Sequence, residues 1–225
     1  MEQIVSTIIG GIEVKEEDSA NAFSQGIGLV GRCDDVRNKN YPNNHIVDYI
    51  KNLISKNDYE VWDIGGSSGI YYFATGAEKT NSTWRVFEKP DTWERYKWII
   101  SGSHGGNNLQ FEQYRNGDEI QIMSPKPVII LCVGSFQYLE KPLDFISKHK
   151  HKADTIILKD LNLANTTFLA CQKGVGTCWF HDLNDVTSRL NDFRWRVIQE
   201  GKEYIKFTGP RELTLYPQQT IIAEK

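Results

Sequence analysis

The sequence predicts a doubly wound α/β fold: a mostly parallel sheet with helices on both faces and a C-terminal antiparallel strand pair. Three observations carry this. Strand-like and helix-like segments alternate from residue 46 to about residue 160. The most apolar run, "PVIILCVGS" from Pro127, lacks the alternation of a one-sided strand and reads as buried on both faces. Near the end, "RWRVIQEG" and "QTIIAEK" follow a helical "DLNDVTSRL" and read as a closing antiparallel pair.

The elements follow in order. Residues 1–42 are polar and Gly/Asn-rich, with a short apolar island from Ile27 to Val30; they form an N-terminal extension, either a candidate substrate lid or a partly ordered arm. Residues 43–225 make the main domain. In "NNHIVDYIKNLI", Ile46, Val47, Ile50, Leu53 and Ile54 fall on one helical stripe, and Asn43 or Asn44 caps it. "YEVWDI" is a strand, a glycine turn follows, and "IYYFATGA" is a helix up to Gly76. "TWRVFE" is the second strand, ending at Glu88. "KPDTWERYKWII" is a helix with an Asp91-x-x-Glu94 start. Its Trp93 and Trp98 are expected to pack rather than to stack on a base. "SGSHGGNN" is a solvent loop, "LQFEQY" a third strand, "KPLDFISKHK" a short helix and "ADTIILKD" a further strand.

Bulk properties narrow the function. The chain has 225 residues, 40% hydrophobic and 24% charged, ordinary for one soluble globular domain. A net charge of -3 gives no reason to expect a nucleic-acid partner. No run of 18 apolar residues is present and the N-terminus lacks a basic start, so neither a membrane span nor a signal peptide is expected, and the localisation expected is cytoplasmic. The four cysteines form no CxxC pair and read as reduced thiols. His149 and His151 have no carboxylate beside them and read as a solvated helix end, so no metal site is expected.

The glycine turn carries the chemistry. A P-loop needs Lys-Ser or Lys-Thr after its last glycine, but Ile70 and Tyr71 follow Gly69. The dinucleotide frame Gly-x-Gly-x-x-Gly, started at Gly65, meets Ser67 and Ile70 where glycines belong. Asp-x-Gly-x-(Gly/Ser)-x-Gly fits Asp63, Gly65, Ser67 and Gly69, with Gly66 inside it. A carboxylate at that strand end repels a phosphate and attracts an ammonium group. Glycines let backbone approach a ligand closely. The turn therefore suits a nucleoside-like ligand bearing a cation, and S-adenosylmethionine is such a ligand. Glu88, 23 residues after Gly65, is placed to accept hydrogen bonds from a ribose. The alternatives are structural: Asp63 as a helix cap, Glu88 as a solvated acid near Lys89, the glycines as turn formers.

These residues resemble the motifs of the class I S-adenosylmethionine-dependent methyltransferases. Val61 to Gly69 resembles their first motif, "VFEKP" their second, and "PVIILCVGSFQYLEKPLDFI" their fourth-strand region. "CWFHDLNDVTSRLNDFRWRVIQEG" resembles their last helix and the strand after it. The combination is similar to a small methyltransferase subfamily associated with bacterial surface-polysaccharide genes. The resemblance covers roughly residues 43–225 and departs at Ser67, where the family has its middle glycine. It implies a class I methyltransferase-like Rossmann fold and S-adenosylmethionine as cofactor. By the same resemblance Phe111 or Glu112 flanks the adenine, and Val133, Gly134 and Ser135 line the cofactor pocket. Gln137 and Tyr138 point toward the substrate, or else begin a helix with a buried tyrosine. Asp160 is a candidate general base or substrate anchor, or else a loop cap; His181 is a candidate base, with a capping or core role as the alternative. The expected activity is methyl transfer, by O-methylation, to a small molecule or a sugar or polysaccharide precursor. A non-catalytic cofactor-binding partner protein and an NAD-dependent oxidoreductase remain the alternatives, and the oligomeric state is open.

Overall fold

The structure is a computed structural model that describes residues 38–90, 107–114, 119–121, 123–172, 176–199, 205–208 and 212–225. The expectations for residues 1–37, for the body of the helix at 91–100 with Trp93 and Trp98, and for residues 101–106 of the loop lie outside the described residues.

Helix α1 (His45–Ile54) starts where Asn44 accepts hydrogen bonds from the amides of Ile46 and Val47. Its buried stripe is Ile46, Val47, Ile50 and Ile54, each side chain contributing roughly 1.5–3 kcal/mol relative to exposure. Strand β1 (Glu60–Ile64) is buried throughout. Helix α2 (Ile70–Thr75) stops at Gly76, whose φ of +70° a glycine adopts without penalty. There follow β2 (Thr83–Glu88), β3 (Leu109–Gln113), β4 (Val128–Val133), a 3₁₀ turn (Phe136–Tyr138), α3 (Pro142–His149) and β5 (Thr155–Ala164). The chain continues through β6 (Phe168–Gln172), β7 (Gly176–Asp182), α4 (Leu183–Arg189), β8 (Arg194–Gln199), β9 (Ile205–Thr208) and β10 (Glu212–Glu224).

The strands lie in the order β3-β2-β1-β4-β5-β10-β8, with β7 joined to β5, β6 to β7 and β9 to β10. Strands β1 to β5 are parallel, whereas β10 runs antiparallel to both β5 and β8. The order reverses between β1 and β4, and in open α/β sheets that reversal opens a crevice beyond the strand ends. Period-two alternation divides the core. Val61, Trp84, Val86, Ile129, Leu131 and Ile157 face α1 and α2. Trp62, Ile64, Phe87, Ile130, Cys132 and Leu158 face the other way, with Phe145 and Ile146 of α3 and Val186 of α4.

Several elements depart from the sequence expectation. Strand β5 runs on past Asp160 to Ala164, and between the 158 and 161 positions it carries one extra residue. Leu158 pairs with Ile221 and Leu161 with Gln219, so three steps on β5 match two on β10. The result is a β-bulge at Lys159–Asp160, with Asp160 at φ +58°. The antiparallel pair β6–β7 and strand β9 were not anticipated. His149 is buried and packs on the Phe145 ring at 4.7 Å between centroids, so only His151 remains a solvated histidine at that helix end. No helix among the described residues is long and apolar enough to cross a membrane.

Candidate active site

The crevice at the carboxyl ends of β1, β2, β4 and β5 gathers most of the residues singled out in the sequence. The turn after β1 alternates into the left-handed region at Gly65 (φ +66°), Ser67 (φ +56°) and Gly69 (φ +69°). Glycine occupies two of these positions without cost; Ser67 is a non-glycine residue in a conformation that costs roughly 1–2 kcal/mol. What holds it there is Glu88, whose Oε1 accepts from the Ser67 amide at 2.6 Å. A second brace crosses from β4: the Ser135 hydroxyl donates to the Ile64 carbonyl. A Cβ on Gly65 would come within 2.6 Å of the Ser135 Cβ, so the β1 and β4 turns are in direct contact.

Asp63 lies inside this arrangement, 1% exposed. Its Oδ2 accepts from the Trp84 indole N–H at 3.2 Å, and its carboxyl group fills the space a Gly66 side chain would need. The N-cap position of the following helix, where the alternative reading would put Asp63, is held by Gly69. Burial and the Asp63 charge push the neighbouring Cys132 thiol up in pKa. Cys132 and Cys178 are buried thiols outside any disulfide.

Glu88 is buried at the tip of β2, so the solvated-acid alternative does not apply to it. Val133 ends β4, and Gly134 follows at φ +61°; a Cβ added there would meet no atom of the described residues within 4 Å.

The other candidates divide. Phe111 lies 3.6 Å from the position of a Gly69 Cβ, on the glycine-turn side of the sheet. Glu112 points to the opposite face, where it accepts from Arg85 at 2.9 Å; Arg85 also pairs with Glu60. Gln137 is buried and donates to the carbonyls of Gly134 and Asp160, tying the end of β4 to the β5 bulge. Tyr138 packs against the cluster of Ala164, Cys178 and Phe180, and burial pushes its hydroxyl up to about 12. Asp160 stands at the β5 bulge, 31% exposed, its Oδ1 2.6 Å from Lys159 Nζ.

His181 sits in β7, 0% exposed, between the rings of Phe136 and Trp179. Neither ring nitrogen has a hydrogen-bond partner among the described residues, and burial lowers its pKa to about 4. Capping of α4 falls instead to Asp182, which accepts from the Asn184 amide.

Three residues of this region escaped the sequence reading. Trp84 supplies the donor to Asp63. Asn108 donates to the carbonyls of Ala77, Thr80 and Ser82 and accepts from Tyr72, fixing β3 beside α2. Tyr71 accepts from Asn44 Nδ2 at 3.3 Å, which pins the start of α1 to the first turn of α2. None lies in a recognisable motif, and each owes its role to a partner distant in sequence.

No protein-family model and no curated protein sequence matches the chain. Solved structures do match in shape. The N-terminal domain of EvdMO1, crystallised with SAH (S-adenosylhomocysteine), superposes with a TM-score of 0.58 at 10% identity, covering 98% of this chain and 90% of that one. The magnesium protoporphyrin IX methyltransferase ChlM from Synechocystis PCC 6803, with bound SAH, gives 0.52 at 13% identity over 91% and 97%. An O-methyltransferase family 2 protein from Planctomyces limnophilus DSM 3776, in complex with apigenin, gives 0.52 at 13% identity over 91% and 61%. At these identities the likeness is one of architecture: the chain has the class I methyltransferase-like, doubly wound fold.

Proposed function

We propose that the protein is an S-adenosylmethionine-dependent methyltransferase that O-methylates a small hydroxylated acceptor, a sugar or polysaccharide precursor. The observation that carries this is Glu88 at the tip of β2, bonded to the Ser67 amide of a left-handed glycine turn at the sheet's switch point. The donor set fits the cofactor. Glu88 is a buried carboxylate at the strand tip, the acceptor type that ribose hydroxyls need. Asp63 supplies negative charge behind the turn, which favours an ammonium group over a phosphate. Gly134 leaves room where the β4 turn faces the crevice. Phe111, Val133 and Ser135 form the apolar and small-residue walls beside these groups.

When bound, the cofactor supplies a methyl group already activated for displacement. The chain's own task is then placement: to hold an acceptor oxygen at close range and in line, and to keep water away from it. Asp160 lies at the crevice edge and is accessible, which supports it as the carboxylate that meets the acceptor. His181 is fully enclosed, which supports a wall role rather than contact with substrate. Tyr41 stacks on Phe73 of α2 at 5.9 Å, and Asn44 bonds Tyr71. The chain thus enters the domain beside the crevice, which supports assigning residues 1–42 to acceptor cover. The buried thiols of Cys132 and Cys178, outside any disulfide, suit a cytoplasmic location.

The test is a thermal-shift screen with S-adenosylmethionine, S-adenosylhomocysteine, NAD and ATP. A ligand at about 100 times its Kd stabilises by about 2.7 kcal/mol. The first two should produce that shift, and Asp63→Ala and Glu88→Ala should lose most of it. A shift with NAD alone, or one retained by both variants, refutes the reading.

A further inference from the structure

Three side chains link the strand ends around the crevice. Glu88 at the tip of β2 holds the Ser67 amide of the turn after β1. Ser135, after β4, donates to the Ile64 carbonyl of β1. Gln137 makes the third link, from β4 to β5. The parallel ladder of these two strands runs from Ile129 beside Thr155 to Val133 beside Lys159, and the Gly134 amide adds a bond to the Lys159 carbonyl. There both backbones turn into the left-handed region, Gly134 at φ +61° and Asp160 at φ +58°. The carboxamide nitrogen of Gln137 reaches the carbonyls of these same two residues, at 3.2 and 3.3 Å.

These contacts fix which way the carboxamide points. Carbonyl oxygens only accept, so the NH2 end must face them. Oε1 is then left enclosed, with no hydrogen-bond partner among the described residues. A buried acceptor without a donor is costly, and a packing residue of similar length, such as methionine, would avoid that cost. The grip on the two carbonyls is therefore what the residue contributes.

We propose that Gln137 is a positioning residue for cofactor binding: it locks the Gly134–Ser135 peptide and so seats Ser135 against the glycine turn; this rests on the methyltransferase reading above. Glycine restrains its own backbone poorly, so the orientation of that peptide needs an outside hold. The Gly134 carbonyl belongs to the peptide that carries the Ser135 amide. Without the Gln137 donor the peptide can rotate and move Ser135, whose Cβ lies 2.6 Å from the position of a Gly65 Cβ and whose hydroxyl braces Ile64. Gln137 thus acts on the cofactor through Ser135 and Gly65 rather than by contact.

The experiment titrates the full chain with S-adenosylhomocysteine by calorimetry, once at about pH 6 and once at about pH 8.5, either side of the raised pKa of a buried carboxyl group. Gln137→Met keeps the length and removes both N–H groups; it should weaken binding at least fivefold at both pH values. Gln137→Glu places a carboxyl group between the two carbonyls. At the lower pH it is protonated and donates one bond, whereas at the higher pH it is ionised and repels both oxygens. Its affinity should fall at least fivefold between the two, against less than twofold for the native protein. The native protein is the control because it carries the same titratable neighbours, Lys159 and Asp160 on β5, Tyr138 on the turn and His181 on β7. A lowered Tm in Gln137→Met with affinity within twofold of native marks a merely structural brace and overturns the proposal. Equal weakening of Gln137→Glu at both pH values overturns it too, and either result leaves the cofactor reading standing. Should Gln137→Met fail to fold, the pH ratio of Gln137→Glu decides alone. Failure of S-adenosylhomocysteine to bind the native protein removes the cofactor reading and this proposal together.

Discussion

The turn after β1 and the bulge within β5 each force a residue with a side chain into the left-handed region, Ser67 at φ +56° and Asp160 at φ +58°. Around Ser67 the distortion is absorbed internally. Glycines flank it on both sides in the same region, its side chain is buried, and its amide is bonded to Glu88. At Asp160 the distortion turns outward. The bulge leaves Asp160 partly exposed beside the mostly enclosed Lys159, while β7 and the 3₁₀ turn pack behind it with His181 enclosed. Similar backbone geometry thus serves a rigid cradle at one end and a presenting edge at the other. The difference lies in what the side chain does once the backbone has turned.

The sharpest way to break the cradle is Gly66→Ala. The new methyl group would collide with the Asp63 carboxyl, which is held by Trp84 and has no open space to enter. A loss of about 3 kcal/mol in urea denaturation is expected, together with loss of the S-adenosylhomocysteine thermal shift. The β5 side should break with acid instead. His181 has a folded pKa of about 4 against 6.5 for an unperturbed imidazole. The unfolded chain therefore takes up a proton below 6.5 that the folded chain refuses until about 4. Stability from this group is full above that window and falls as pH drops through it, by about 3 kcal/mol in total. Denaturation midpoints measured at intervals from neutral pH down to about 4.5 should trace that slope, and His181→Phe should flatten it.

The remaining changes sharpen the comparison. Trp84→Phe removes the indole donor to the buried Asp63 together with the volume of one of the two fused rings, and should cost about 3 kcal/mol in chemical denaturation. If the cost is negligible, the Asp63 carboxyl is secured by other contacts and the cradle is less dependent on Trp84 than the geometry suggests. The smallest effect expected is a gain: Ser67→Gly removes the left-handed penalty and should raise stability by about 1 kcal/mol, with cofactor affinity unchanged.

Much of the parallel half was legible in the sequence because its signals are local. The stripe in α1, the continuous apolar run of β4 and the glycine turn each lie within a dozen residues and need no partner to be recognised. The positions of the first candidate residues were legible for the same reason: Asp63, Glu88 and the turn residues sit at strand ends that the pattern itself marks. What escaped depends on neighbours distant in sequence. The bulge at Asp160 exists only in register with β10, and nothing in "TIILKDLNLA" forecasts an extra residue. The commitment of Glu112 to Arg85 follows from β3 lying beside β2. The β6–β7 pair shows no period-two alternation: "FLACQ" opens on four apolar residues and "TCWFHD" holds three in a row, runs too short to tell strand from helix by periodicity. His181 is ambiguous in sequence because it stands directly before the cap position, which Asp182 occupies.

Strand β10, slotted between β5 and β8, has a consequence for biosynthesis. It is the last of these strands to leave the ribosome, yet it fills a position inside the sheet. Until residues 212–224 emerge, β5 and β8 lack their shared neighbour, and two unpaired backbone edges await the same latecomer. The nascent chain is therefore exposed to strand-swapped association for as long as β10 stays in the exit tunnel, and chaperone dependence should be greatest for ribosome-bound chains arrested just short of it.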